Sequence, residues 1–339
     1  MVSSFLLCLV VAVTLYVWYA PSSRVADRFS FPFESAQQTK TFLARLFVAD
    51  PPQALFPPQE RTDWDSVRFF YQREIITSLG IGYMPERPLN VKAGETIVYD
   101  KYDVTPILVE TFPDVHACGA LYMPVGVKPP FPVFFFSGGI HSIVSPIVRR
   151  FAATLAAGGM AVFTLESMGT GVRKEMGREG EGFLLAGIAP LALTVYENRQ
   201  VLKFLRSHPA IDGDRVFIAG VGDAGSAVLY TAVLDDAIGG CAPFSVAPSF
   251  QSVSAVVDIW NLLIMPRRSF EVYHVLSLIA PRPLLFVNAE GNPHQRNSFR
   301  ETLRRVDEMY RFLGAGEKFK GTEVADASRF GKQSRLLLY

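Results

Sequence analysis

Four short runs limit what this chain can fold into more than anything else in it. Val133–Phe136, Met160–Leu165, Val216–Ala219 and Leu284–Val287 are almost continuously apolar. A strand with one wet face alternates instead, so runs of this kind belong to strands covered on both faces. Between them lie stretches with helical spacing: Leu191, Val195, Leu202 and Leu205, and later Phe299, Leu303, Val306, Tyr310 and Leu313, closed by Gly314. A further helix is predicted over Pro146–Ala157. This alternation predicts an α/β fold with a mostly parallel central sheet and helices on both faces. Ile97–Tyr102, Ile107–Phe112 and Ala117–Met123 read as an antiparallel lead-in, and Lys318–Val324 as a weak last strand.

The run Val216–Ala219 leads into RVFIAGVGDAGSA, residues 215–227, which is a strand, a tight Gly-rich turn and a helix of small residues. That is the layout of a nucleophile elbow, in which a sharp turn between small residues lifts one side chain above a sheet. Gly220 and Ala224 occupy the small positions, which puts Gly222 at the apex. Glycine brings no side chain that can attack.

Phe5–Ala20 is apolar apart from Thr14, in a chain whose hydrophobic content is 49% and whose mean hydropathy is +0.22. A helix over residues 2–20 would extend about 28 Å, close to the ~30 Å of a hydrocarbon core. Tyr16, Trp18 and Tyr19 crowd one end, as interfacial aromatics do. No basic residue precedes the run and Pro21 follows it, which favours an uncleaved single-pass anchor over a signal peptide. Residues 1–22 are therefore expected to be a membrane anchor, 23–95 a helical arm packed on the domain, and 96–339 the α/β domain. In the arm, Thr62 or Asp63 is expected to cap a helix carrying Val67, Phe70 and Ile75 toward the core. The expected location is a membrane, endomembrane or organellar inner, reached through residues 2–20.

A net charge of +1 and the lack of a Lys/Arg run exclude a nucleic-acid partner. The three cysteines, Cys8, Cys118 and Cys241, are too few for a disulfide framework and read as inert thiols. No cofactor or metal site is expected, and the Gly-rich loop LESMGTGVRKEMGREGEG matches neither phosphate-binding pattern.

The phrases PFPVFFFSGG, LESMGTGVRKE, DGDRVFIAGVGDAG and LIAPRPLLFVNAEGNP, with the later RFLGAGEK, occur in the order and spacing of one family. Over residues 95–330 the chain resembles the α/β-hydrolase superfamily, in particular its acetyl-xylan-esterase and dienelactone-hydrolase-like branch. The resemblance implies a mostly parallel eight-stranded sheet with an active site at the strands' carboxyl ends. It also implies a Ser nucleophile, a His base and an orienting acid. The positions where these would stand hold Gly222 for the nucleophile, Asn292 for the acid and Ser328 for the base. None of the five histidines lies beyond residue 294.

Three other residues are candidates for replacement chemistry. Asp223 adjoins the apex, Ser137 ends the first buried strand, and His141 follows in the loop where the family forms its oxyanion site. Ser226 is one turn into the helix and His274 reads as a helix residue packed on the sheet. The expectation drawn from these departures is a catalytically inactive, membrane-tethered scaffold or accessory subunit with protein partners in a membrane complex. The alternatives are an active carboxylic-ester hydrolase with a non-standard site, or a non-catalytic binder of acyl ligands.

Overall fold

The computed structural model describes residues 57–58, 60–83, 87–138, 143–178, 185–250, 270–289 and 293–324. They all belong to one unit that spans Phe47–Tyr339. In chain order the elements are α1 (Trp64–Leu79), β1 (Val91–Ala93), β2 (Ile97–Val98), β3 (Tyr102–Phe112), β4 (Val115–Pro124), β5 (Phe131–Phe136), α2 (Pro146–Ala157) and β6 (Ala161–Leu165). There follow α3 (Pro190–Ser207), β7 (Ile211–Val221), α4 (Asp223–Leu234), β8 (Ile238–Phe244), α5 (Val272–Ser277), β9 (Leu284–Ala289), α6 (Pro293–Phe312) and β10 (Phe319–Val324).

The strands form one ten-stranded sheet in the order β1-β3-β4-β6-β5-β7-β8-β9-β10, with β2 beside β3. β1 to β4 join antiparallel to their neighbours and β6 meets β4 the same way. From β6 through β10 every pairing is parallel. The count exceeds the expected eight because short strands β1 and β2 extend the antiparallel edge. The chain leaves β5 toward β6 on one side, then returns through α3 to β7 on the other. Open α/β sheets bind their ligands outside the carboxyl ends of the strands where the order reverses in this way, here at β5 and β7.

The buried strands follow from their sequences. Val133 and Phe135 of β5 face a core shared with α3, α4 and α1, while Phe134 packs with Phe151 of α2 on the opposite face. Helix α2 begins where predicted because Ser145 caps it, its Oγ accepting from the Val148 N–H, with Pro146 in the first turn. Gly314 takes φ 75° just past α6, the left-handed residue expected of a helix stop.

Three expectations are corrected. The strand over Ile97–Tyr102 ends at Val98, and a turn closed by Tyr99 N–H to Tyr102 O at 2.9 Å separates it from β3. In α1 the buried stripe is Trp64, Tyr71, Ile75 and Leu79; Phe70 lies about 100° around the helix from Tyr71 and is half exposed. Asp63 does precede α1, but its side chain makes no capping hydrogen bond. The apolar segment 2–20 lies outside the described residues, and among those described no helix is long and apolar enough to cross a membrane.

Candidate active site

β7 turns into α4 through Gly222, at φ 63° and ψ −122°. An L residue adopts this conformation only under strain, and it is what a sharp strand-to-helix elbow demands. The turn is held on both sides: Gly222 N–H donates to Phe244 O at 2.9 Å, and Ser226 N–H to Gly222 O at 3.0 Å. A Cβ on Gly220 would come 2.5 Å from Ala224 O, and one on Gly225 would come 2.7 Å from Phe244 O. Gly220 is thus a compulsory small position as predicted, while the second close approach falls on Gly225, one residue beyond Ala224. A Cβ on Gly222 would meet nothing within 4 Å. Among the described residues, nothing stands against the first carbon of a side chain at the apex.

The neighbouring strand supplies the other wall. Gly138, at φ 92° after β5, accepts from the Val221 N–H at 3.2 Å, and a Cβ there would meet Ser167 Oγ at 2.3 Å. The ends of β6, β5 and β7 therefore stand side by side with backbone nearly touching. Asp223 is the first residue of α4 and is exposed, at a helix terminus whose dipole favours an anion.

Ser137 occupies a different place from the cleft. It is fully buried, and its Oγ donates to Asn198 Oδ1 at 2.5 Å. Asn198 Nδ2 donates in turn to Thr231 Oγ1 at 3.0 Å, and Thr231 to Ala227 O at 2.7 Å. This chain of bonds locks α3 to α4 beneath the elbow. Asn292, Ser328 and His141 lie outside the described residues, so of the three triad positions the structure describes Gly222 alone.

The loop after β6 holds groups that sequence reading missed. Arg173 is buried, and its Nη1 and Nη2 donate to the two carboxylate oxygens of Glu197 at 3.0 and 2.5 Å. Nη1 also donates to Glu166 O at 3.0 Å, and Thr170 Oγ1 to Glu166 Oε1 at 2.5 Å. Burial works to lower the Arg173 pKa, but the Glu197 carboxylate outweighs it and leaves that pKa raised. The loop read as Gly-rich is therefore clamped from within. The available signal was Glu197, the one acidic residue on a helix whose other charges are Arg199, Lys203 and Arg206. Cys241 is buried and its thiol is pushed up to about 12 by that burial; Cys118 is half-buried.

A candidate acetyl xylan esterase from Bacteroides fragilis superposes on 87% of this chain and 84% of its own, with a TM-score of 0.70 at 15% identity. The fold is that of the α/β-hydrolases. A glucuronoyl esterase from Teredinibacter turnerae shares this α/β-hydrolase fold over 82% of the chain and 84% of its own, with a TM-score of 0.63 at 14% identity. One from Solibacter usitatus does so over 78% and 87%, with a TM-score of 0.60 at 16% identity. No protein-family model and no curated protein sequence matches the chain. These neighbours overturn the expectation of a catalytically inactive, non-enzymatic scaffold or accessory subunit, because they carry ester-hydrolase names on the same architecture. The physical reason that expectation misled is visible at the elbow. Three vacant triad positions and the lack of a histidine beyond residue 294 pointed to a lost site, whereas the sharp turn of the elbow and its close-packed small positions are present.

Proposed function

We propose that this chain is a carboxylic-ester hydrolase with a non-standard catalytic site, tethered to a membrane through residues 2–20. The elbow carries the reading: Gly222 keeps the strained apex conformation over open space, at the N-terminus of α4 and at the sheet's topological switch. The ester-hydrolase neighbours support it.

With glycine at the apex, the covalent acyl-enzyme of a serine hydrolase has no oxygen there to form on. In this reading the attacking water stands over the apex, beside Asp223 at the start of α4. In the proposed reaction the Asp223 carboxylate takes a proton from that water as hydroxide adds to the acyl carbon. First-turn N–H groups of α4 stabilise the oxyanion of the tetrahedral intermediate. Collapse breaks the acyl–oxygen bond, and the departing alkoxide takes the proton back from Asp223. His141 is the second candidate for proton transfer, from the loop after Gly138.

The test is turnover of several short acyl esters by the full chain in detergent. Asp223→Asn is expected to lower kcat about 100-fold or more, the range of a lost general base, with the thermal transition unchanged. His141→Ala separates a helper from a bystander. Absence of turnover on every ester, from a chain with a cooperative thermal transition, would overturn the proposal. Thermal stabilisation by an ester without turnover would leave binding alone.

A further inference from the structure

We infer that Ser245 holds the attacking water at the elbow, its hydroxyl giving that water a second polar partner beside Asp223. This deepens the ester-hydrolase reading above and rests on it. Among the described residues, two that are not glycine take a left-handed backbone: Asp114 at φ 63° and Ser245 at φ 54°. Asp114 has a local reason. It lies in the tight turn between β3 and β4, and aspartate tolerates this region better than most residues do. Ser245 has no such reason. It follows β8 directly, where no hairpin calls for the conformation and a glycine would take it without strain.

A strained residue persists only where its surroundings over-determine it, and the chain after β8 is held along its length. Ser245 N–H donates to Val287 O at 2.8 Å, and Asn288 Nδ2 to Val246 O at 2.8 Å. Thr302 Oγ1 donates to Pro248 O at 2.6 Å, and Phe250 N–H to a Glu271 carboxylate oxygen at 3.1 Å. Val246 is buried, and its Cγ2 would lie 2.9 Å from a Cβ on Gly225 in the first turn of α4. Strand β9 and helices α4 and α6 thus fix the bend, and Glu271 closes it.

Register puts the residue beside the apex. Val221 of β7 pairs with Phe244 of β8, and Phe244 pairs with Val287 of β9. The next residues, Gly222, Ser245 and Asn288, therefore stand abreast, and adjacent strands lie about 4.8 Å apart. No atom of Ser245 comes within 4 Å of a Cβ built on Gly222, so the serine flanks the apex without filling it. Polar groups here are unspent. Ser245 is half-buried, and its hydroxyl makes no hydrogen bond to any described residue. Only Nδ2 of Asn288 can donate to Val246 O, which leaves the buried Oδ1 as an acceptor with no donor among the described residues. Buried polar groups are nearly always paired, and exceptions mark water or function. In the inferred arrangement Ser245 Oγ accepts one O–H of the water while the Asp223 carboxylate accepts the other, and a lone pair faces the acyl carbon. Ser245 keeps its own proton throughout.

Turnover of a short acyl ester by the full chain in detergent, with thermal denaturation, tests this in Ser245→Ala and Ser245→Gly. Alanine keeps the strain and loses the hydroxyl. Its kcat is expected to fall about 10- to 100-fold, the scale of lost positioning, with KM and the thermal midpoint unchanged. Glycine loses both the strain and the hydroxyl. Its kcat is expected to fall as far, while the midpoint rises by about 2 °C, the shift that relief of a left-handed residue gives in a chain of this size. A purely structural turn does not yield a variant that is more stable and less active. Parental kcat in either variant would overturn the inference. So would a raised KM with kcat unchanged, which would make Ser245 an ester-binding group. A glycine variant that melts no higher would show the bend unstrained and overturn it too. In each of these cases the parent chain still turns over, so the ester-hydrolase proposal stands; a parent that turns over no ester takes both down.

Discussion

At the apex, the cost of a side chain separates cleanly into space and backbone. Gly222 has space, so Gly222→Ser meets only the strain of a positive φ, about 1–3 kcal/mol. Gly220→Ala drives a Cβ into the Ala224 backbone, which cannot rotate away as a side chain can, and is expected to cost more than Gly222→Ser. Denaturant titration of the two variants against the parent checks the order. Equal losses would mean the open apex is filled in solution. His274 supplies a second residue-level prediction. It is fully buried against Tyr71, and its Nδ1 accepts the Glu271 N–H at 2.9 Å, which requires a neutral ring. Burial, reinforced by Arg305, pushes its pKa down to about 3 from the ordinary 6.5. Between those values the unfolded chain binds a proton that the folded chain refuses. The contribution is therefore whole above pH 6.5 and drains as pH falls toward 3, at up to about 1.4 kcal/mol per pH unit. Stability measured at pH 7.5, 5.5 and 4.5 is expected to fall in that order, and less steeply in His274→Gln.

Among the elements, the pairing of the β6 loop with α3 depends on one buried ion pair. Arg173→Met leaves Glu197 as a charge without its partner inside the protein, at a cost of about 3–5 kcal/mol. Arg173→Met with Glu197→Leu removes both charges and is expected to recover much of that loss. A double-mutant cycle by thermal denaturation measures the difference, and additive losses would mean the pair does not couple. Helix α4 is held at its other end by Arg282, whose Nη1 donates to Asp235 O and Ile238 O and whose Nη2 donates to Ala232 O at 2.7 Å. Arg282→Ala strands those carbonyls, and a loss of about 2–4 kcal/mol is expected from charge-assisted bonds of this number. These contacts show where sequence legibility ends. Val133–Phe136 and Leu284–Val287 declared themselves, because burial on both faces leaves an apolar run in any context. Phe70 did not, because a helix face is chosen by what packs on it, and Tyr71 won the buried side by one residue. Arg173 and Glu197 stand 24 positions apart, and nothing local says that one is the other's counter-ion.

For the whole molecule, the succession of strands along the chain proved readable and the chemistry only partly so. The succession of buried runs predicted the parallel half of the sheet, and the Gly-rich phrase at 220–225 predicted the elbow, because each is a local pattern. What the elbow is for was misjudged, since vacant family positions at 222, 292 and 328 say which reagents are missing and not what the rest of the site can do. The family's positions for acid and base, Asn292 and Ser328, give a whole-molecule test: Gly222→Ser, Asn292→Asp and Ser328→His together. The triple change is expected to bring fluorophosphonate labelling at residue 222, which the parent chain lacks. Labelling absent from a stably folded triple variant would mean that the two distant loops do not reach the elbow.

The open apex also bears on descent. A glycine codon ending in a pyrimidine lies one base from serine, from cysteine and from aspartate. A lineage carrying this turn can therefore acquire an oxygen, a sulfur or a carboxylate nucleophile in a single mutational step, while the neighbouring glycines that shape the bend stay untouched.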